Sequence, residues 1–336
     1  MQIHADFSII RPDAQPFYLR RPVVELPYSG GFCMQILTDR GSDFSEQQLA
    51  GLKVHFVPMK LTLDGITYSS GEDISAAEFY DLLSTTNSFP TTSQPSVGEF
   101  VEIFKRLAKE DPDIFFIHVS SGLSGTFSSA QTAAAMVPEA NVTFWDTKTL
   151  SCPEAWQVEA AACALNAGWP MERVLARLGE IRQACEGMYT LDTLKYLIHG
   201  GRISHMKGLL ASVLQIRPVI GVEKDSGKYY TLAQERTTKR AIQKMVELAA
   251  RFYPEGSPVR VQLLHGKNPE ALALLREEAT KRLNCVWTPT VTVAPILGAH
   301  TGGSLVGMAV GPTHLFEDIP GVVMSEVQEQ YAGVPV

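Results

Sequence analysis

The residues that could do chemistry in this chain are mainly hydroxyls. The stretch FPTTSQPS (Phe89–Ser96) gathers four hydroxyls, an amide and two prolines, with no acid, base or thiol. Just downstream, Ser96 and Glu99 form S-x-x-E ahead of apolar residues at Val97, Phe100, Val101, Phe104 and Leu107. That pattern predicts a helix opened by a capping box. Thr91, Thr92 and Ser93 then sit beside a helix N-terminus, where free N–H groups and the positive dipole end favour an anion. Serine and threonine also cap helices routinely, so the same residues fit an ordinary capped turn.

A second polar loop, SSGLSGTFSS (Ser120–Ser129), follows one apolar run and precedes a helical pattern. Its glycines, Gly122 and Gly125, allow backbone N–H groups to approach a ligand. It lacks the G-K-[ST] lysine of a Walker loop. Ser124 lies in G-L-S-G rather than in the G-x-S-x-G of a nucleophile elbow. A third, ILGAHTGGSLVG (Ile296–Gly307), reads as a Gly-rich turn between two strand-like runs, with His300 among small neighbours. The eight histidines are scattered, H-E-x-x-H is absent, and the five cysteines include no C-x-x-C. No metal site, cofactor or catalytic residue is expected from such spacing. Three polar loops without a nucleophile–base pair point to capture of a small anion rather than chemistry on it.

The elements that must position these loops follow from periodicity. The chain has 336 residues, 45% hydrophobic and 19% charged, which suggests two globular domains. Its formal charge of −7 argues against general nucleic-acid binding. No apolar run is long enough to span a bilayer, the segment Met1–Pro22 lacks a signal-peptide core, and the cysteine usage suits a reducing cytoplasm. Residues 1–31 read as an irregular extension rich in Pro and Arg. From residue 32 to 167 short apolar strands alternate with helices: FCMQILTD, VHFVPMKLTLDG, a helix capped by Ser75 and Glu78, the Ser96 helix, IFFIHVS, a helix after the second loop, and NVTFWD. This alternation predicts a Rossmann-like parallel sheet with helices on both sides. Residues 168–312 read as a second α/β domain with antiparallel strands. Its helices are expected at Glu154–Asn166 (entering it), Met171–Cys185, LDTLKYLIHGGRIS closed by Gly200–Gly201, Thr238–Arg251, and Glu270–Leu283 opened by Asn268-Pro269. Its strands are expected at Pro218–Glu223, Tyr229–Ala233, Val259–Leu264, CVWTPTVTV and SLVGMAV, and residues 313–336 form a tail.

The same segments resemble one family. LTDRGSDF (Leu37–Phe44), TTSQPS, SSGLSGTFSSA, LDTLKYLIHGGRIS, LQIRPVIGVEKDSGK and AHTGGSLVG occur in the order of the DegV family of bacterial fatty-acid-binding proteins, from about Cys33 to Val310. The resemblance implies a two-domain α/β fold of DegV type that holds one long-chain fatty acid, palmitate or similar. It also implies a carrier rather than an enzyme, presenting the acid to a fatty-acid kinase that makes an acyl phosphate for phospholipid synthesis. Carried over, Ser93 would bind the carboxylate, Thr62 would supply a second hydroxyl, and His300 would complete the network. The loops around Thr92, Gly122, Ser124 and Gly125 would line the head group. Arg202 of GGRIS would stand where the family has a cation implicated in kinase docking; its alternative role is to pin the helix end before it. Two departures stand out: Arg40 replaces the serine after the first aspartate, and the family's H-T-G-P-G reads His300-Thr301-Gly302-Gly303-Ser304.

Neutral hydroxyls suit such a ligand. A carboxylate at the end of an apolar tunnel loses water, which raises its pKa, while donors oppose that shift. A tail of about fourteen methylenes gains on the order of 11 kcal/mol gross at ~0.8 kcal/mol each, before ordering costs. Two rival readings remain open from sequence: a hydrolase or acyltransferase using Ser93 or Ser124 with His300 as base, and a binder of a phosphorylated metabolite.

Overall fold

The computed structural model describes residues 34–203 and 216–325. The expected N-terminal extension, Cys33, Ser204 of GGRIS and residues 326–336 of the expected tail lie outside the described residues.

Four short, apolar strands form a parallel sheet in the order β2-β1-β6-β7: β1 (Gln35–Asp39), β2 (Val54–Val57), β6 (Asp113–His118) and β7 (Asn141–Asp146). β1 and β6 are buried almost throughout, as strands covered on both faces must be. On one face lie α3 (Val97–Ala108) and α4 (Thr126–Ala134), meeting the sheet through Phe100, Phe104, Leu37 and Phe116. The Ser96–Glu99 capping box forms with both of its hydrogen bonds, as does that of Ser75 and Glu78 at α2 (Ala76–Thr85). A four-residue helix, α1 (Glu46–Leu49), precedes β2.

The chain then enters α5 (Ser151–Asn166), which is buried along nearly its whole length. It packs on β1 and β6 of the first sheet and on β8 and β13 of the second. A helix wedged between two sheets must be apolar or internally paired on every side. Here alanines, two cysteines, Pro153, Trp156, Val158 and Leu165 fill most positions, and Glu159 is paired with the equally buried Arg260, 2.6 Å away; Glu154 is the exception, buried with no hydrogen-bond partner among the described residues. The second sheet is six-stranded and mixed, in the order β10-β9-β8-β13-β11-β12: β8 (Glu186–Thr190), β9 (Arg217–Val222), β10 (Tyr229–Glu235), β11 (Pro258–His265), β12 (Asn284–Thr292) and β13 (Val306–Pro312). Only β11 and β12 pair in parallel. Two helices, the amphipathic α8 (Thr238–Phe252) and α9 (Pro269–Arg282), cover its far face through Ile242, Met245 and Leu275. α6 (Met171–Ala184) packs beside α5, and α7 (Lys195–His199) is a short turn of helix after β8.

Several sequence expectations change. VHFVPMKLTLDG divides at Pro58 between β2 and β3 (Lys60–Leu63), which joins a separate three-stranded antiparallel sheet, β4-β3-β5, with β4 (Ile66–Ser69) and β5 (Thr91–Ser93). TTSQPS is therefore not a free loop: its first three residues are an edge strand on β3. His300 lies not in a turn but in a helix, α10 (Pro295–Thr301), with Pro at its start and Gly302 at φ +74° after its end. That is the usual asymmetry of helix termini, hidden in the sequence by Gly298. Gly298 is needed because a β-carbon there would come within 2.5 Å of the Tyr80 hydroxyl. The LDTLKYLIHGGRIS helix shortens to α7, capped by Gly200, and β8 fills the stretch before it.

Candidate functional site

In the parallel sheet, the chain leaves β1 toward β2 on one side and later returns with β6 on the other. Ligands of such sheets bind beyond the strands' carboxyl ends at this switch point. The loops after β1 and β6 are tied together there by Asp39, whose Oδ1 accepts from Gly41 N at 2.8 Å and Oδ2 from Val119 N at 2.9 Å. Burial pushes the Asp39 carboxyl up to about 6, against the pull of these two bonds. Asp43, on the same loop, accepts from Ser151 Oγ at 2.5 Å and from Ala294 N at 2.8 Å. It is pushed up to about 7 by burial. Ser151, the first residue of α5, is held at φ +58°, an uncommon conformation for a residue with a side chain. Asp43 thus ties together the start of α5, the β1 loop and the start of α10. Both aspartates belong to the LTDRGSDF motif, and the carry-over assigned neither of them a place in the site.

Above this platform is a cavity with polar groups from Thr92, Ser93, Gln94, Ser124, Arg202 and His300. Thr92 Oγ1 and His300 Nε2 lie 2.8 Å apart. The other ring nitrogen, Nδ1, is buried without a hydrogen-bond partner among the described residues. It rests on Gly200, where a β-carbon would come within 2.1 Å. Burial, and then the charge of Arg202, pull the imidazole down to about 4, so it is neutral near pH 7. Arg202 donates from Nη1 to Gly200 O at 2.6 Å and from Nε to Leu123 O at 3.4 Å. It caps the end of α7 and also brings a positive charge to the cavity wall.

A second cavity is lined almost wholly by apolar groups, among them Leu191, Leu197, Ile220, Leu264 and Leu305. Leu150, Tyr229 and Leu297 line both cavities. Both spaces therefore border these three side chains, one cavity carrying polar groups and the other almost none.

Of the residues singled out from sequence, Ser93, Thr92, Ser124, His300 and Arg202 come together around the polar cavity. Thr62 does not: it is on β3, bonded to Thr67 across the hairpin at 2.8 Å on an exposed face. Gly122 and Gly125 do not line the cavity either. A β-carbon at Gly122 would lie 2.3 Å from Ser226 O, so this glycine seats the β6 loop on the β9–β10 turn. One at Gly125 would lie 2.5 Å from Gln94 Oε1, so that glycine admits Gln94. The N-terminus of α3 is occupied by its own Glu99 carboxylate and is no anion site. α4 instead starts at Gly125 with no side-chain cap, next to Ser124. Gln94, the amide of TTSQPS, was given no role from sequence; Met59 and the shared residues Leu150, Tyr229 and Leu297 come from segments far apart and carry no local signal.

The chain is thus a two-sheet α/β protein with a polar-lined cavity and an apolar cavity side by side at the switch point of its parallel sheet. The family model for uncharacterised proteins of the DegV family matches residues 33–313. A DegV domain-containing protein of Listeria innocua is 30% identical over 277 residues, covering 81% of this chain and 96% of the relative. Among solved structures, a DegV family protein from Thermus thermophilus described by its fatty acid binding superposes with TM-score 0.76 at 28% identity, covering 83% of this chain and 99% of that one. A Thermotoga maritima protein whose structure revealed a fatty acid binding function gives TM-score 0.73 at 26% identity, with 83% and 99% covered. The chain belongs to the DegV family. Among the described residues no helix is long and apolar enough to cross a membrane, and no cluster of His, Cys, Asp and Glu could hold a metal.

Proposed function

We propose that this protein binds one long-chain fatty acid, its tail in the apolar cavity and its carboxylate in the polar one. The observation that carries this reading is the sharing of Leu150, Tyr229 and Leu297 by the two cavities. A single ligand with a polar head and an apolar tail fills both. The Ser93 and Thr92 hydroxyls supply donors to the carboxylate, the neutral His300 holds the Thr92 hydroxyl in place, and Arg202 supplies the opposite charge. Apolar burial provides most of the affinity, and the head-group donors fix orientation.

The protein acts as a carrier. Because its donors are neutral hydroxyls, a carboxylate oxygen stays free to attack a phosphoryl group delivered by a separate fatty-acid kinase. The hydrolase reading loses support from the geometry: the described His300 bond runs to Thr92, while Ser124 Oγ is engaged by Thr126 Oγ1 at 2.8 Å. An imidazole held near 4 is also a weak general base at neutral pH. The direct test is mass spectrometry of organic extracts from gently purified protein. One fatty acid per chain is expected; an empty protein, or one carrying a polar phosphorylated metabolite, overturns the reading.

A further inference from the structure

We infer that Tyr189 sets the size of the acyl chain this protein accepts, an inference that rests on the fatty-acid reading above. Tyr189 lines the apolar cavity and not the polar one. Its ring lies down on the mixed sheet instead of standing off it, and two glycines make that posture possible. Gly187 precedes it by two residues on β8, and Gly307 is its register partner on β13. A β-carbon at Gly187 would come within 2.6 Å of the Tyr189 hydroxyl and 2.9 Å of Pro153 Cγ; one at Gly307 would come within 2.8 Å of Tyr189 Cδ1. The hydroxyl points to Leu150 O at 3.4 Å, on the segment entering α5. The phenol is thus a wedge between the apolar cavity and the start of α5. Burial, and then the neighbouring Cys152, Tyr229, Asp43 and Glu154, keep it un-ionised.

A fixed aromatic wall of this kind acts on tail size in two directions. Removing it enlarges the cavity toward Pro153. Adding a methyl beneath it, at Gly187, drives the ring into the cavity. In an apolar pocket one methylene changes affinity by roughly 10–200-fold, so a wall shift of this size reads out directly as ligand choice.

The experiment loads wild-type protein, Y189F, Y189L, Y189A and G187A with an equimolar mixture of saturated and cis-unsaturated fatty acids of graded length, and identifies the retained acids by mass spectrometry. Y189F keeps the ring and should retain the wild-type distribution. Y189L and Y189A should shift it toward longer or bent chains, with the ratio of adjacent lengths changed on the order of tenfold. G187A should shift it toward shorter chains. Y189L and G187A decide the matter if Y189A does not fold. Wild-type distributions in both of these folded variants overturn the role of Tyr189 while leaving the carrier reading intact. Failure of the wild-type protein to retain any fatty acid overturns the carrier reading itself, and this inference with it.

Discussion

Thr92 and His300 stand 208 residues apart in the chain and 2.8 Å apart in space, Oγ1 to Nε2. The bond joins the edge strand β5 to α10 across the mouth of the polar cavity. It also sets which way the neutral imidazole faces, because the other ring nitrogen has no described partner. Replacing Thr92 by Val keeps the shape and removes the hydroxyl. The net loss should be about 1 kcal/mol of fold stability, read by chemical denaturation. Fatty-acid affinity should fall roughly fivefold if the imidazole orientation matters to the carboxylate. Unchanged affinity by titration would show that His300 is held by packing alone.

Packing does contribute, and Gly200 tests it. This glycine has an ordinary helical backbone, φ −71°, so no strain accompanies a side chain there. The obstacle is steric: an added β-carbon would lie 2.1 Å from His300 Nδ1 and 2.8 Å from its Cε1. Gly200→Ala must displace the ring and break its bond to Thr92. Overpacking of this kind costs about 1–3 kcal/mol. The expected result is a lowered denaturation midpoint together with weaker ligand retention. A variant of wild-type stability and affinity would mean that the imidazole moves freely, contrary to a fixed support for the Thr92 hydroxyl.

The site also carries opposed pH dependences. His300 is lowered from 6.5 to about 4, so the unfolded chain takes up its proton first as pH falls. Its contribution, on the order of 3 kcal/mol, is present above pH 6.5 and is lost as pH falls through 4. Asp39 and Asp43 are raised from 3.8 to about 6 and about 7. Their contribution is full below 3.8 and is lost as pH rises through 6 and 7. Between pH 4 and 7, Asp43→Asn should therefore remove stability gained on acidification, and His300→Gln should remove stability lost on acidification. Denaturant midpoints measured at half-unit steps check both slopes; slopes equal to wild type in either variant would refute that assignment.

Much of the fold could be read along the chain because its signals are local. β7 appears at Asn141–Asp146 as its apolar run indicated, and α9 opens at Asn268-Pro269 as the cap pair indicated. The capping boxes at Ser75 and Ser96 were equally plain. What escaped was set by tertiary contact. β8 was missed because Gly187 interrupts its pattern, and that glycine is there for Tyr189. α10 was missed because Gly298, required by Tyr80, made it resemble a turn. The polar half of the site was legible as loops rich in hydroxyls. The apolar half was not, since Leu150, Tyr229 and Leu297 meet only after both sheets have formed. Nor did the sequence distinguish Thr92, on the His300 side of its strand, from Thr62 on an exposed face.

Ser93 remains the sharpest test of a carrier as opposed to a mere lipid sink. It lines the polar cavity at the end of β5, opposite Lys60 in register. Tail burial, worth about 0.8 kcal/mol per methylene, does not depend on it. A hydroxyl bond to a charged carboxylate contributes only about 1.5–3 kcal/mol. Ser93→Ala should therefore still bind a fatty acid, with affinity reduced by roughly one to two orders of magnitude. Transfer is more exacting, because the attacking oxygen must be held within a narrow reach of the phosphoryl group. Acyl-phosphate formation with a fatty-acid kinase should then fall further than occupancy does, and the two can be measured on the same loaded sample. A variant that is fully loaded and phosphorylated at the wild-type rate would remove Ser93 from the presenting site. A variant that cannot be loaded at all would show that head-group contacts, and not the tail, dominate binding.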